Sequence, residues 1–324
     1  MQDCSICYVT DKGFLLPSLV SAARLRTFVP AHRADILLFV TETDNLEINR
    51  LRNLAQKYSI TVIPMEEKHF SGFAQGEVHK SHVSLTTLGR FFINDALPQS
   101  CGKILYIDGD TWAFKDPSRL VEWSVPDGKL AGVEDTIVFD RHVDESLKSM
   151  SENYFKGLGL PDNAAYMNAG IFMTTKAAWK TIASEAFEYF KSHTAACRHH
   201  DQSAMNAVLG DRRIHLSCSW NFQTAYKLWG VESVAEPRIG HFTGNGKPWS
   251  GRILPWADCY DVFCREAENF SALGLTFARK SPLRRCYMNT RQTIKKYSLM
   301  CRAEPRRKLL AAIKAELERC VQVA

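Results

Sequence analysis

The stretch KILYIDGDTWAFKDP, residues 103–117, runs four apolar residues, Ile104, Leu105, Tyr106 and Ile107, straight into Asp108, Gly109 and Asp110. A run of that kind fits a strand buried on both faces. In extended chain, positions i and i+2 point to the same side, so Asp108 and Asp110 converge. Two carboxylates that close raise each other's cost of ionisation. A positive partner belongs between them: a metal ion, a lysine or arginine, or a shared proton.

On the N-terminal side of this strand, SICYVT (5–10), DILLFVT (35–41) and SITVIP (59–64) read as further strands. Helical spacing occupies LLPSLVSAARLRTFV (15–29), NLEINRLRNLAQKY (45–58) and LTTLGRFFINDAL (85–97). On its C-terminal side, KLAGVED (129–135) and AYMNAGIFMTT (165–175) read as strands and WKTIASEAFEYFKSH (179–193) as a helix. HDQSAMNAVLG (200–210) is a second helix, with Asp201 as its N-cap and Gly210 as its stop. This alternation predicts an α/β chain with a mainly parallel sheet and helices on both faces. Ligands in such folds bind beyond the carboxyl ends of the strands, where Asp108 and Asp110 stand. The Gly-rich, polar SGFAQGEVHKSH (71–82) is the expected lid.

Size and composition narrow the classes. At 324 residues and 45% hydrophobic content the chain can bury a sizeable core. No run approaches the roughly 20 apolar residues of a membrane span. The ten cysteines lack framework spacing, and the Cys4–Cys7 pair has no second pair at zinc-site distance, so buried reduced thiols are expected. The charge is divided. Residues 279–324 hold thirteen Lys and Arg against three Glu, a net +10 that leaves −4 for everything before them out of the total +6.

HFTGNGKPW (241–249) adds chemistry to the paired carboxylates. An imidazole from His241 beside carboxylates suits manganese, Gly244 and Gly246 allow close backbone approach, and Lys247 offers charge to a phosphate. One rival keeps the same strand: haloacid dehalogenase-like phosphatases also follow an apolar strand with D-x-D. Those proteins usually carry Gly-Thr after the second Asp, on the first strand, whereas here Thr111 and Trp112 follow and three strands come earlier.

Taken together, YIDGD (106–110), MNAG (167–170), Asp201-Gln202 and HFTGNGKPW, in this order between about residues 4 and 255, resemble glycosyltransferase family 8. Its bacterial lipopolysaccharide α-galactosyltransferases and α-glucosyltransferases are the nearer likeness. The resemblance implies a GT-A fold and retaining transfer of a hexose from a UDP-sugar to a glycan or glycolipid acceptor. It implies manganese, with magnesium as the alternative, held by Asp108, Asp110 and His241. It places Val9, Thr10 and Asp11 at uracil and ribose, and Arg90 near the diphosphate and sugar. Asp135, Asn168, Ala169, Asp201 and Gln202 surround the donor sugar, with Gly244 and Lys247 at the phosphates. Asp201 and Gln202 are the candidate catalytic residues, Gln202 as stabiliser of a cationic sugar. Gly109, within the donor site, stands where an apolar residue is usual and is expected to loosen the turn. Ser203 stands where close relatives often have a second Asp.

Residues 1–278 are thus expected to form the catalytic domain and 279–324 a basic helical tail. In the tail, Leu309, Leu310, Ile313 and Leu317 share one helical face ringed by bases. Attachment to the anionic inner face of a membrane, on the cytoplasmic side, is the expected role of that tail, with no nucleic acid as partner. A nucleotide-sugar binder without turnover is the third alternative.

Overall fold

The computed structural model describes residues 3–41, 45–65 and 85–323, excepting the side chains of residues 45–47, 85 and 86. The expected lid at 71–82 lies outside the described residues.

A seven-stranded sheet forms the centre, built from β1 (Cys4–Thr10), β2 (Ala34–Val40), β3 (Ile60–Pro64), β4 (Lys103–Ile107), β6 (Leu130–Glu134), β7 (Met167–Thr175) and β8 (Arg213–His215). Their order is β3-β2-β1-β4-β7-β6-β8. Only β7 runs against its neighbours, pairing antiparallel with both β4 and β6. Every residue of β1 is buried, as are all of β4 but Lys103. Helices cover both faces, which explains why these strands are continuously apolar rather than alternating. Two apolar clusters result, one on each side: Ile6, Leu38 and Leu105 in one, Cys7, Leu37 and Ile104 in the other. All ten cysteines are free, seven of them buried.

A second, three-stranded sheet consists of β5 (Thr111–Ala113), β9 (Phe222–Gln223) and β10 (Ile239–His241), in the order β5-β10-β9. It begins four residues after β4 ends and carries the chain from the Asp108–Asp110 turn toward His241.

The basic tail is folded onto this body as two helices, Pro282–Met300 and Ala303–Arg319. The expected division at 278/279 marks a change in composition, while the core runs across it: Leu299, Leu309 and Ile313 belong to the same cluster as Ile6 and Leu105. Leu310 and Leu317 pack against that cluster. The apolar face expected to meet lipid is therefore covered by protein. The attachment is also polar. His215 Nδ1 lies 3.0 Å from Glu134 Oε1 and 2.9 Å from Glu316 Oε1, and Arg319 pairs with Glu316. Val321 N–H donates to His215 O at 2.9 Å, bridging the chain's last described residues to the edge of β8.

Candidate active site

Asp108 and Asp110 leave β4 at its carboxyl end, and the small sheet delivers the third group to them. Thr111 and His241 are direct antiparallel partners, and Phe242 N–H donates to Asp110 O at 2.9 Å. From the other side, Asp108 N–H donates to Gly170 O at 2.7 Å, fixing the turn against β7. One ligand atom from each of Asp108, Asp110 and His241 lies within 4.8 Å of the others. His241 Nε2 is 3.3 Å from Asp110 Oδ1 and 3.8 Å from Asp108 Oδ2.

The imidazole is oriented by a residue that the sequence did not single out. His241 Nδ1 faces Asn221 Oδ1 at 2.9 Å, while Asn221 Nδ2 donates to Asn168 Oδ1 at 2.9 Å. The amide oxygen is thus the end turned to the ring, so Nδ1 donates and Nε2 is the nitrogen turned to the carboxylates, the one an ion would take. Gly170 closes the site from β7: a Cβ there would stand 2.2 Å from His241 Cε1 and 2.8 Å from Asp108 Oδ2. Two carboxylates and an imidazole nitrogen facing one point make a donor set suited to a divalent ion.

Cations already answer the like-charge problem. Arg90 Nη2 donates to Asp108 Oδ1 at 3.1 Å, and the Lys247 ammonium pairs with Asp110 and donates to Phe242 O at 2.6 Å. Burial opposes ionisation of Asp110, but Lys247 and His241 outweigh it and hold that carboxyl well below the usual range. Asp108 moves the other way: burial pushes it up, Arg90 pulls it down, and the neighbouring Asp110 pushes it up again. Asp201 is pushed up to about 6 by burial, against the pull of Arg90.

Arg90, buried beneath the site, is the hub rather than a surface helix residue. Besides Asp108 it holds Asp201 Oδ2 at 2.9 Å and Ala169 O at 2.5 Å, with its guanidinium 4.4 Å from the centre of the Tyr106 ring. The Tyr106 hydroxyl donates to Asp108 Oδ1 at 3.0 Å. The expected N-cap role of Asp201 is corrected here: His199 precedes the helix His200–Leu209, and the Asp201 carboxylate in its first turn is committed to Arg90. The loosening expected of Gly109 is also replaced by a packing reason. A Cβ at Gly109 would meet Ser18 Oγ at 2.0 Å, so glycine lets the helix Leu15–Arg26 lie against the turn.

The sugar-site candidates form one network. Asp135 Oδ2 accepts from Asn168 Nδ2 at 2.8 Å and Gln202 Nε2 at 3.0 Å, and Gln202 Oε1 accepts from Ala169 N–H at 3.0 Å. Val9, Thr10 and Asp11 stand at the carboxyl end of β1, beside β4, where Ser18 Oγ donates to Thr10 Oγ1 at 3.0 Å. Gly244, at φ 78°, turns the loop between His241 and Lys247 and borders a separate cleft rather than the carboxylates. Asn221 was not legible because SWNFQ shows neither periodicity nor a charged motif. Gly170, though inside MNAG, gave no sign of the space it leaves for His241.

A sequence model described as glycosyl transferase family 8 matches residues 5–252. General stress protein A of Bacillus subtilis is 27% identical over 229 residues, covering 65% of this chain and 75% of its own. Lipopolysaccharide glucosyltransferase WaaO of Escherichia coli is 25% identical over 275 residues, covering 79% of this chain and 74% of its own. Among solved structures, the galactosyltransferase LgtC, in complex with donor and acceptor sugar analogues, superposes with a TM-score of 0.64 at 19% identity. That superposition covers 82% of this chain and 95% of LgtC, and establishes the GT-A fold.

Proposed function

The chain belongs to glycosyl transferase family 8 and is a glycosyltransferase, and on that premise we propose that it moves galactose or glucose from a UDP-sugar, with retention and with manganese, to a glycan or glycolipid acceptor. The observation that carries the reading is the convergence of Asp108, Asp110 and Nε2 of His241 at the ends of two sheets. Among the described residues, four carboxylates (Asp108, Asp110, Asp135 and Asp201) meet two paired cations there, Arg90 and Lys247, which leaves room for the charge of an ion. A divalent ion held by Asp108, Asp110 and His241 would supply Lewis-acid charge for the departing diphosphate.

The chain's own groups carry the rest. Lys247 adds charge for the diphosphate, most useful as that charge develops. Asp135 and Asn168 offer polar atoms to hexose hydroxyls. Gln202, fixed at both ends by Asp135 and Ala169, keeps one oxygen lone pair for a cationic sugar. Arg90 positions Asp108 and Asp201 beside the expected place of the diphosphate and sugar. The phosphatase alternative needs Asp108 as a free nucleophile; its Oδ1 is held by Arg90 and Tyr106, and the family is one of transferases.

The acceptor class draws on the Escherichia coli relative, named a lipopolysaccharide glucosyltransferase. A position on the inner face of the membrane is the reading for the tail, and the support moves to its first helix. There Leu283 (85% exposed), Ile294 (61%) and Tyr297 (56%) form an apolar stripe on the side away from buried Met288 and Leu299. No helix among the described residues is long and apolar enough to cross a membrane. Substituting Leu283, Ile294 and Tyr297 by serine is expected to release the protein from anionic vesicles; unchanged co-sedimentation would remove the membrane reading.

For the reaction itself, a panel of UDP-hexoses with manganese should show slow UDP release, stopped by a chelator and restored by manganese. Release that ignores the chelator would break the metal assignment. Failure to release UDP from any hexose donor would break the donor assignment.

A further inference from the structure

Between the loop Thr243–Gly246 and the tail helix Pro282–Met300 lies a cleft of about 340 Å³. From the helix, Arg284, Arg291 and Lys295 line it, at spacings that bring all three to one face. Among the described residues no acidic side chain lines this cleft and none of the three cations is in an ion pair, although Asp140, outside the lining, feels the charge of Lys295. The Tyr287 ring lies beneath both arginines, with guanidinium carbons 5.2 Å and 5.7 Å from its centre, and steers them along the wall. A fourth lining residue, Gln292, has a buried side-chain oxygen without a hydrogen-bond partner. Three like charges gathered around a hollow repel one another, and a buried unpartnered carbonyl costs stability; both are relieved by one ligand carrying an anion and a hydroxyl donor.

The cleft is not the diphosphate shelf. Lys247 does not line it, because its ammonium is turned to Asp110 on the other side of the loop. Yet part of its wall is the loop Thr243–Gly246 that joins His241 to Lys247, so a ligand seated there is separated from the metal-binding candidates by that loop alone in sequence. That is the place for a second substrate approaching the donor.

We propose that this cleft binds the acceptor glycan through an anionic substituent, a phosphate or carboxylate, gripped by Arg284, Arg291 and Lys295, with Gln292 accepting from a sugar hydroxyl. The proposal rests on the transferase reading for the word acceptor, and on the cleft alone for the anion. The tail helix then selects the substrate as well as packing on the domain.

The test is calorimetric titration of the full chain with glucose phosphate, glucuronic acid and glucose. Both anionic sugars should bind at least about tenfold tighter than glucose, as expected for charge-assisted hydrogen bonds. The double substitution Arg284→Gln, Arg291→Gln should remove that preference. Both positions are exposed, and Lys295→Gln serves as a second variant should the double one fail to fold. Equal binding of charged and neutral sugars, or a preference that survives the substitutions, would overturn the proposal. A parallel arm separates lipid from sugar. If the double variant leaves anionic vesicles but binds glucose phosphate like the wild type, these cations serve the membrane and the acceptor assignment is wrong. UDP release by the wild-type chain judges the transferase reading separately, so the two can fail independently.

Discussion

Among the described residues, two places bring two carboxylates and an imidazole together within 4.8 Å, and they are built for opposite ends. In the Asp108–Asp110–His241 group, Asn221 occupies Nδ1 and leaves Nε2, the other nitrogen, facing the carboxylates. In the Glu134–His215–Glu316 group, a single nitrogen, Nδ1, is shared by both carboxylates at 3.0 Å and 2.9 Å, so it must carry a proton. Arg319 balances Glu316, and the second oxygen of Glu134 accepts from Tyr166 N–H at 2.9 Å. The second group is complete in itself, while the first is left with a vector aimed at an ion. The residue behind the ring, not the ligand set, decides between a metal site and a staple.

The largest effect should come from removing what the staple fastens. Deleting residues 303–323 strips Leu309 and Ile313, each 1% exposed or less, from the core. At about 2–3 kcal/mol for each side chain, before any cavity term, the loss rivals the whole stability of a typical domain. Cooperative thermal unfolding should disappear from the truncated chain, and a sharp transition near the wild-type midpoint would show the core to be closed without it.

Next is the pair of acid-to-amide changes. Asp110→Asn should lower manganese-dependent UDP release by about a thousandfold with the fold retained. Glu316→Gln should leave manganese dependence alone and lower the thermal midpoint instead. Any crossover, such as full activity of Asp110→Asn at saturating manganese, would erase the distinction between the two groups. A smaller effect is expected from Asn221→Ala, which frees the His241 ring: manganese affinity, read directly by spin resonance, should weaken about 10–100-fold. Unchanged affinity would mean that orientation of the ring does not matter.

The gentlest probe is pH. Hydrogen bonds to Glu134 and Glu316 raise His215 from 6.5 to about 9. A group whose folded pKa is raised stabilises fully below its unfolded value and loses that contribution as pH climbs through the folded one. Between pH 6.5 and about 9, wild type should therefore lose stability relative to His215→Gln, by about 2–3 kcal/mol in all. Parallel stability curves for the two proteins across that window would show that no proton is bound in the staple.

Much of this could be read from residue order, for physical reasons that vary by element. β1, β2 and β4 are continuous apolar runs because both faces are covered, and they were recognisable as such. β5, β9 and β10, at two or three residues each, have too little length for any pattern, so the small sheet that brings His241 to Asp110 was invisible. Asp108, Asp110 and His241 were legible only in combination: acids at strand ends are common, and it was D-x-D together with the His-led glycine loop, in register with the other motifs, that singled them out. Arg90 was singled out by resemblance alone, since its burial depends on Asp201 and Ala169, both distant in the chain. The tail shows the limit most plainly. An amphipathic spacing at Leu309 and Ile313 states that something apolar covers them, and is silent on whether lipid or protein does so.

The docking of the last described residues on β8 also sets a timetable for synthesis. As the chain leaves the ribosome, Asp108, Asp110 and His241 emerge well before Leu309, Ile313 and Val321. The first core cannot close until the last helix arrives, because Leu309 and Ile313 form part of it, while Val321 adds only a bridge to Leu216. Until then the nascent chain displays apolar surface on the side that the final helices will cover, and in this interval a chaperone has the most to hold. A ribosome stalled before the helix Ala303–Arg319 would therefore carry a polypeptide that contains the candidate ligands Asp108, Asp110 and His241 but whose core is not yet sealed.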